Sequence, residues 1–277
     1  MEFKRLFIFS VLTFFLMFSQ INAQQTGVPI TREMNLLTWT EFAEFVPEKV
    51  ETVLLPTGSI EPHGVIPSGS DNLAPEAMAR EIAERLNAFI APTLNYGVTP
   101  RMQAYPGAVS ISEKTYAPFV KEVITGLAKN KFKNIIVING HGGNTNSLNS
   151  VVDEISDKYK VRILVISWWS FTSEETFAVF DENGGHAGNN ETAYIQAIVP
   201  EHIHPERYSK DMAIPLPTGN SYYAVPVPSS ILLYEKGQGY PTFDQKQANE
   251  YFKRVNNRVA ELIEEVIKKW DLGRLYR

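Results

Sequence analysis

Two carboxylates and an imidazole fall within one short stretch of the chain, and side chains of these types bind divalent metal ions. The stretch Thr52–Asp71 begins with an apolar run and continues into a loop that contains Glu61, His63 and Asp71. A Glu-x-His triplet alone is more often a solvated surface feature. In open α/β sheets, however, active sites lie beyond the carboxyl ends of strands. We therefore expect this loop to contribute ligands to a metal site.

Asp71 has a second interpretation, because it immediately precedes a predicted helix. Ala74, Met78 and Ile82 recur at helical spacing within the predicted helix Leu73–Leu86. At that place an aspartate is a favoured N-cap. Capping and metal binding are compatible if one carboxylate oxygen serves each role.

A second candidate ligand, His141, follows the strongest strand signal in the chain. Asn134–Ile138 predicts a buried strand, and it ends in Asn-Gly-His-Gly-Gly-Asn. Because glycines surround His141, it cannot pack against side chains of its own loop. The alternative is a turn histidine bonded to a backbone carbonyl, but its place at a strand end favours a functional role. We expect Asn139 and Asn144 to brace this loop.

A third segment, Gly185–Thr192, contains His186 and Glu191. Glu191 falls in the first turn of a predicted helix, where the helix N-terminus stabilises a carboxylate even without a metal. The Asn-Glu-Thr within this segment also matches a glycosylation acceptor, but a glycan there would obstruct the proposed cleft. We interpret His202 and His204, which follow a proline, as surface residues.

The elements that must position these residues alternate between strands and helices, which predicts a mainly parallel sheet between helical layers. Thr52–Leu55 is the first predicted strand, bounded by Pro56. Thr38 and Glu41 match a capping box that starts a helix. Ile231–Tyr234 is a candidate strand in a region rich in proline, glycine and tyrosine.

Taken together, the three motif segments resemble the creatininase (creatinine amidohydrolase) family over residues 35–270. The stretch Tyr-Pro-Gly at 105–107 also resembles the family's Phe-Pro-Gly. The resemblance implies a three-layer α/β/α sandwich with a mainly parallel central sheet and a ring-like homohexamer. It also implies a small-molecule substrate and, as cofactors, two divalent metal ions, zinc or manganese.

By motif position, the resemblance implies a metal-ligand set. Glu61 and His63 would bind one ion each, and Asp71 would bridge the two ions. His141 would complete one ion and Glu191 the other.

The chemistry of such a site is hydrolytic. Two metals a few Å apart acidify a bridging water to hydroxide and polarise a carbonyl oxygen. The mixture of Asp, Glu and His suits zinc or manganese rather than calcium. The resemblance places His186 at the substrate, where it would pass a proton to the leaving group. Trp168 or Trp169, at a strand end, is either a roof over a flat substrate or a core aromatic.

Three positions depart from the family pattern. Creatinine-hydrolysing members have a metal-binding Glu two residues after the His of the second motif, where this chain has Gly143. They also have a Glu directly before the catalytic His, where this chain has Gly185. Many other members have a Glu in place of Asn189. These differences leave the expected metal site intact, with Glu191 as a ligand, and argue against creatinine as the substrate.

The hypothesis is therefore a two-metal hydrolase that cleaves the C–N bond of a small cyclic amide or formamide. One alternative is hydrolysis of a small cyclic oxidised sugar or ketone. The other is a non-catalytic metal- or solute-binding protein on the same scaffold.

The N-terminus predicts export. A positive start is followed by the apolar run Leu6–Phe18 and by Ala23 before a cleavage point, which is typical of a secretory signal peptide. We expect residues 1–23 to be this peptide and 24–277 to be a single metallohydrolase domain, periplasmic or secreted. An uncleaved anchor is the alternative, although the run is shorter than the ~20 residues of a spanning helix.

Composition excludes several classes of protein. The absence of cysteine excludes disulfides, a thiolate nucleophile and cysteine-ligated zinc. The net charge of −5 argues against a nucleic-acid surface. We expect no nucleic-acid partner and, after cleavage, no stable membrane insertion.

Overall fold

The computed structural model of the protein describes residues 27–214, 221–231 and 236–276. The expected signal peptide, residues 1–23, lies outside the described residues, as does the domain boundary that follows it. Arg32–Arg277 form one compact unit. Across the described ranges, none of the helices has the length and apolar character that a membrane span requires.

A sheet of four parallel strands lies at the centre of this unit. The strands are β1 Thr52–Thr57, β2 Ala88–Ile90, β3 Asn134–Asn139 and β4 Arg162–Ser167. Their order is β2-β1-β3-β4. β1 and β3 are paired along their full length, so their carboxyl ends finish side by side. Every residue of these two strands is buried, as expected for strands covered on both faces.

Helices cover both faces of the sheet. In chain order they are α1 Trp39–Phe45, α2 Ser70–Ile82, α3 Glu113–Lys129, α4 Thr145–Tyr159, α5 Trp168–Phe171, α6 Ser173–Phe180, α7 Asn189–Ile198 and α8 Gln245–Leu272. Residues of α2, α7 and α8 pack with Leu54 and Ile136 in one apolar core. Residues of α1, α3 and α4 pack with Val53 and Val137 in a second core. The predicted α/β/α sandwich with a parallel sheet is confirmed.

Strand β1 is longer than predicted, because Pro56 lies inside it rather than at its end. Proline has no N–H to donate to a neighbouring strand. Leu54 and Pro56 both accept bonds from the β2 side of the sheet, from Ala91 and Leu94. The nitrogen of Pro56 therefore faces the side where β2 has already ended at Ile90, and no ladder bond is lost.

Helix α2 begins earlier than predicted, and this changes the local role of Asp71. The helix starts at Ser70 with Gly69 as its N-cap, so Asp71 lies within the first turn. The N-cap interpretation of Asp71 is therefore wrong. The early start is held by the Ser70 hydroxyl, which donates to the carbonyl of Pro67 at 2.6 Å.

The remaining predicted elements agree with the structure apart from a few residues at their ends. The capping box is present, since Glu41 N donates to Thr38 Oγ1 at 3.3 Å and Thr38 N donates to Glu41 Oε2 at 2.8 Å. The short helices α5 and α6 were not predicted. Most of the candidate strand Ile231–Tyr234 lies outside the described residues, and Ile231 forms an isolated bridge with Ala213.

The central strand predicts a large stability effect for Ile136→Ala. Ile136 is 0% exposed at the middle of the sheet, so its truncation leaves a cavity. We expect the free energy of unfolding to fall by about 2–5 kcal/mol, measured by urea denaturation. Ile30→Ala is the matched control, because Ile30 is 76% exposed and an exposed truncation changes stability by roughly 0.5 kcal/mol or less. Equal effects of the two substitutions would contradict this account of the core.

Candidate metal centre

The first three predicted site residues lie on the segment that joins β1 to α2. Glu61 and His63 lie in the loop after β1, and Asp71 lies in the first turn of α2. All three side chains are buried, and Asp71 is only 4% exposed. A carboxylate in the first turn of a helix is stabilised by the helix dipole.

The other three predicted site residues approach from the next strand and from α7. His141 follows the end of β3 by two residues and is buried. His186 lies in the loop before α7, and Glu191 lies in the first turn of that helix. Because β1 and β3 end side by side, these segments meet the loop of Glu61 at one edge of the sheet.

Asp71 lies at the centre of the cluster, with one oxygen toward each of two histidines. Its Oδ1 is 2.9 Å from His63 Nε2, and its Oδ2 is 2.8 Å from His141 Nδ1. Glu61 Oε1 is 3.4 Å from His141 Nδ1. Glu191 Oε2 is 3.7 Å from His63 Nε2. The carboxylate of Asp71 is therefore shared between two neighbouring sets of donors.

Two atoms of this cluster are in close contact with a neighbour but lack hydrogen-bond geometry. His63 Nε2 and Asp71 Oδ2 are buried, and neither forms a hydrogen bond with any described residue. A buried polar atom without a partner is costly, and a missing ion is one of its ordinary explanations. Ligands of a common cation direct their lone pairs at the ion rather than at each other. The donors present therefore fit a bound cation.

The donor atoms form three overlapping groups, each with its atoms within 4.8 Å of one another. These groups are Glu61–Asp71–His141, His63–Asp71–Glu191 and Glu61–His63–His186. The first two divide the five predicted ligands into two sets that share Asp71. The third adds His186, whose ring centroid is 4.5 Å from that of His63.

Each of the three histidines is oriented by a backbone carbonyl. His63 Nδ1 bonds to the carbonyl of Glu61 at 3.0 Å, and His141 Nε2 bonds to that of Val98 at 2.9 Å. His186 Nε2 bonds to the carbonyl of Pro62 at 2.8 Å. A carbonyl only accepts, so the bonded nitrogen carries the proton. When a cation is bound, the other nitrogen of each ring is available as a lone-pair donor on the side of the carboxylates, an arrangement common at metal sites.

The carboxylates strongly perturb two of the histidines. Burial lowers the pKa of His63, but the charges of Asp71, Glu191 and Glu61 outweigh it and raise that pKa to about 10. Burial likewise lowers the pKa of His141, while its contacts with Asp71 and Glu61 raise it to about 11. Without a cation, the carboxylates therefore hold protons on these rings as counter-charges. A metal ion binds in competition with such protons.

Three other groups of the cluster are shifted in different directions. Burial raises the pKa of Asp71, but His63 and His141 hold it well below its usual range. Burial raises the pKa of Glu191 to about 7, against the opposing charge of His63. Burial and the neighbouring His63 lower the pKa of His186 to about 4, so this imidazole is neutral near pH 7.

Close packing of the main chain brings α2 to the end of β3. A Cβ on Gly140 would lie 2.0 Å from the carbonyl oxygen of Asp71, so only glycine fits at this position. In a regular helix that carbonyl would accept from the residue four positions on, which here is Pro75 and has no N–H. The carbonyl of Asp71 therefore has no helical hydrogen bond at the point where Gly140 approaches it.

The two asparagines of the second motif brace the loop, as predicted. Asn139 Oδ1 accepts from the backbone N–H of His141 at 3.2 Å. Asn144 Nδ2 donates to the carbonyl of Gly58 at 3.0 Å, and its Oδ1 accepts from Val98 N at 3.0 Å. These bonds join the loops that follow β1 and β3 to the segment that begins at Val98.

Position 143 has no room for a side chain. A Cβ on Gly143 would lie 1.9 Å from the carbonyl oxygen of Val98 and 2.6 Å from His141 Nε2. The carbonyl that occupies this space is the one that orients His141. A glutamate ligand two residues after His141 is therefore excluded by the backbone of this chain.

Sequence reasoning missed Thr99, which contacts the cluster directly. Thr99 is buried, and its hydroxyl donates to Glu61 Oε2. No motif marked this residue, because it lies in the long irregular connection between β2 and α3. The Val98 carbonyl was missed for the same reason.

The aromatic and surface alternatives are resolved by burial. Trp168 is buried in the core against Tyr194, and Trp169 lies beside the cluster. His202 and His204 are exposed, as predicted, at 64% and 44% of their side-chain areas. Asn190 of the glycosylation motif is buried and accepts from Gly185 N at 2.9 Å, which leaves it inaccessible to a glycan.

A cavity of about 450 Å³ opens onto the cluster. Its walls include Glu61, His141 and His186 on the side of the cluster. The opposite walls come from the connection between β2 and α3 and from residues 222–228. The Tyr105 hydroxyl donates to the carbonyl of Val227 at 2.9 Å and ties these two walls together.

A family model described as creatinine amidohydrolase matches residues 35–263. The chain belongs to the creatininase family, whose members are hydrolases. The expected resemblance is confirmed over most of its predicted extent.

Three relatives are each 26% identical to the chain. The creatinine amidohydrolase of Pseudomonas putida matches over 192 residues, which are 62% of this chain and 73% of the relative. The 3-dehydro-scyllo-inosose hydrolase of Thermotoga maritima matches over 168 residues, 57% of this chain and 54% of the relative. The mycofactocin precursor peptide peptidase of Mycobacterium ulcerans matches over 201 residues, which are 68% of this chain and 73% of the relative.

Solved creatininase structures share the fold. A Zn-Zn type creatininase superposes with a TM-score of 0.73 at 23% identity and covers 86% of this chain and 98% of its own. A manganese creatininase superposes with a TM-score of 0.72 at 22% identity, and the match covers 85% of this chain and 98% of that structure.

The packing at position 143 predicts different outcomes for two adjacent glycines. Gly143→Ala drives a methyl group into the Val98 carbonyl, so we expect a loss of about 1–3 kcal/mol in unfolding free energy together with weaker metal binding. Gly142→Ala is the control, because its Cβ would meet only Trp169 Cζ2 at 3.8 Å. Thermal unfolding and metal titration measure both. If Gly143→Ala bound metal like Gly142→Ala, His141 would not depend on the Val98 carbonyl.

Proposed function

We propose that this protein is a hydrolase that cleaves the C–N bond of a small cyclic amide or formamide and uses two divalent cations, zinc or manganese. The observation that carries the proposal is the position of Asp71, which presents one oxygen to each of two histidines. Membership of the creatininase family supports hydrolysis. Relatives named as a creatinine amidohydrolase and a peptide peptidase support a C–N bond as the target.

The two sets of donors define how the cations would be held. Glu61, Asp71 and His141 form one set, and His63, Asp71 and Glu191 form the other. Nitrogen and carboxylate donors without thiolate suit zinc or manganese. Three protein ligands leave a coordination position open, which is typical of catalytic rather than structural sites. When bound, the cation pair would supply an activated water and polarise the scissile carbonyl.

His186 is the residue in this proposal that moves the proton. Its Nε2–H donates to the carbonyl of Pro62, which leaves Nδ1 without a proton and 3.5 Å from Glu61 Oε1. The ring also lines the cavity. His186 accepts a proton at Nδ1 from the attacking water and returns it to the departing nitrogen. The C–N bond breaks as one water is added across it, so the acyl carbon becomes a carboxylic acid and the nitrogen becomes an amine. A formamide gives two products, whereas a cyclic amide gives one product that carries both groups.

The backbone packing at Gly143 argues against creatinine itself. The glutamate ligand of creatinine-hydrolysing members cannot be accommodated beside the Val98 carbonyl.

A second candidate is hydrolysis of a small cyclic oxidised sugar or ketone. The relative from Thermotoga maritima, named as a 3-dehydro-scyllo-inosose hydrolase, supports it at the same 26% identity. The same donor cluster could polarise a ketone. A turnover screen of the metal-loaded protein against cyclic amides, formamides and keto-sugars separates the two candidates, because a keto-sugar hydrolase would leave all amides intact.

We also propose that the protein is exported and acts in the periplasm or outside the cell as a homohexamer. The signal-like N-terminus supports export, and the family resemblance supports the hexamer. N-terminal sequencing of the mature protein and light scattering test the two parts. A retained Met1 or a monomer in solution would overturn the corresponding part.

Metal content should depend on Asp71 more than on any other ligand. Because both donor sets share Asp71, we expect Asp71→Asn to lose both cations and Glu191→Gln to lose one. Plasma mass spectrometry of dialysed protein gives the number of ions per chain. Glu113→Gln is the control, because Glu113 lines the cavity outside the donor groups. Two ions retained by Asp71→Asn would rule out a shared ligand.

Turnover should depend on His186 while metal content does not. We expect His186→Ala to lower kcat by about 10²- to 10⁴-fold, the usual contribution of a general acid–base, with two ions still bound. His204→Ala, at an exposed histidine, is the control. Unchanged turnover would contradict the proton-transfer role, and absence of turnover in the wild type as well would support a binding protein. Loss of an ion would instead make His186 a ligand, as the third donor group allows.

A further inference from the structure

One arginine lines the cavity, and no role has been assigned to it. Arg101 lies in the short 3-10 helix Pro100–Met102, within the connection between β2 and α3. Its guanidinium carbon is 4.8 Å from the ring centroid of Tyr223, which lines the same cavity. Among the residues that the structure describes, no carboxylate forms an ion pair with Arg101.

The segment that carries Arg101 is anchored to the metal-ligand cluster. Two residues before it, the hydroxyl of Thr99 donates to Glu61, and the backbone N–H of Thr99 donates to Ser110 Oγ at 2.8 Å. Further along the segment, Tyr105 is bonded to the carbonyl of Val227. The backbone on both sides of Arg101 is therefore tied to the donor cluster and to the opposite side of the cavity.

The charges of the residues that line the cavity indicate which type of ligand it binds. Arg101 is the one lysine or arginine among the described residues of the cavity wall, whereas Glu61 and Glu113 are acidic. Glu61 belongs to the donor cluster. A guanidinium presents a planar fork of N–H groups that matches a carboxylate. A phosphate dianion carries two negative charges, and only Arg101 would offset them while Glu113 would repel them. A carboxylate carries one negative charge, so it fits this wall better.

Tyr223 limits the orientations that the guanidinium of Arg101 can adopt. The tyrosine ring covers one face of the guanidinium, and stacking of this kind leaves the N–H groups at the edge free to donate. The stacked arginine also loses less rotamer freedom when a ligand binds. Tyr223 is thus a positioning residue for Arg101.

We propose that Arg101 binds a carboxylate of the substrate, so that the natural substrate is an amide that carries a carboxylate group, such as an N-acyl amino acid or a carboxylated cyclic amide. This inference rests on the proposed amide hydrolysis and specifies its substrate class. The scissile carbonyl lies at the donor cluster, and the carboxylate lies at the Arg101 end of the same cavity.

Matched amides test the proposal. Pyroglutamate and pyroglutamamide, and N-formylglycine and N-formylglycinamide, differ within each pair only by a carboxylate in place of a carboxamide. For the metal-loaded wild type, we expect kcat/KM to favour the carboxylate of each pair by about tenfold or more, as for a charge-assisted contact. In Arg101→Met this ratio should fall close to one. In Arg101→Lys it should fall partway, because the charge remains and the fork is lost.

Arg258→Met is the matched control. The guanidinium carbon of Arg258 also lies 4.8 Å from an aromatic centroid, that of Phe171, but Arg258 does not line the cavity. The substitution removes the same charge and the same type of stacking contact. The carboxylate preference should remain at the wild-type value in this variant.

A binding measurement separates failure of this inference from failure of the proposed function. Calorimetry in a His186→Ala background measures the affinity for pyroglutamate and pyroglutamamide, with and without Arg101→Met. Hydrolysis without an Arg101-dependent carboxylate preference would overturn the inference and leave the proposed function standing. Arg101-dependent carboxylate binding without hydrolysis of any amide would overturn the proposed amide hydrolysis and leave Arg101 as a carboxylate-binding residue of this cavity. Absence of both would overturn both.

Discussion

The structure depends on a buried carboxylate, Asp71, that is held between two imidazoles. A charged group taken out of water is stable only if its surroundings compensate it. Here the compensation comes from His63 and His141 and from the N-terminus of α2, all fixed by the sheet behind them. The surrounding loops are positioned accordingly, since they bring His63 and His141 to within 2.9 Å of the carboxylate of Asp71.

The parallel sheet meets this requirement in a simple way. Because β1 and β3 are paired in register and end together, the loops that follow them start at neighbouring points. Gly140 then allows the first turn of α2 to approach the end of β3 closely. Helix α7 completes the arrangement by placing a third carboxylate, Glu191, in its own first turn. The cavity in front of the cluster is lined mainly by irregular segments, and such segments tolerate changes of sequence better than the sheet behind them.

The sequence predicts the buried framework well and the irregular segments poorly. Continuous apolar runs and helical periodicity located the strands and the main helices, and glycine-flanked histidines at strand ends located the donors. Pro56 was misjudged because its place at the edge of a paired region depends on where β2 ends, which is a tertiary property. Thr99 and the Val98 carbonyl were not predictable, since their roles arise from a connection that has no periodic pattern. The place of Arg101 in the cavity wall was not predictable either, because Arg101 lies in the same connection.

The histidine orientations rest on main-chain atoms, and this affects how the protein tolerates change. The carbonyls of Glu61, Pro62 and Val98 hold the three rings, and a peptide oxygen is present whatever side chain the residue carries. The side chains at positions 62 and 98 can therefore change without disturbing the imidazoles, provided the path of the backbone is kept. The path of the backbone at these residues is therefore the property that must be kept for the three imidazoles to stay in place.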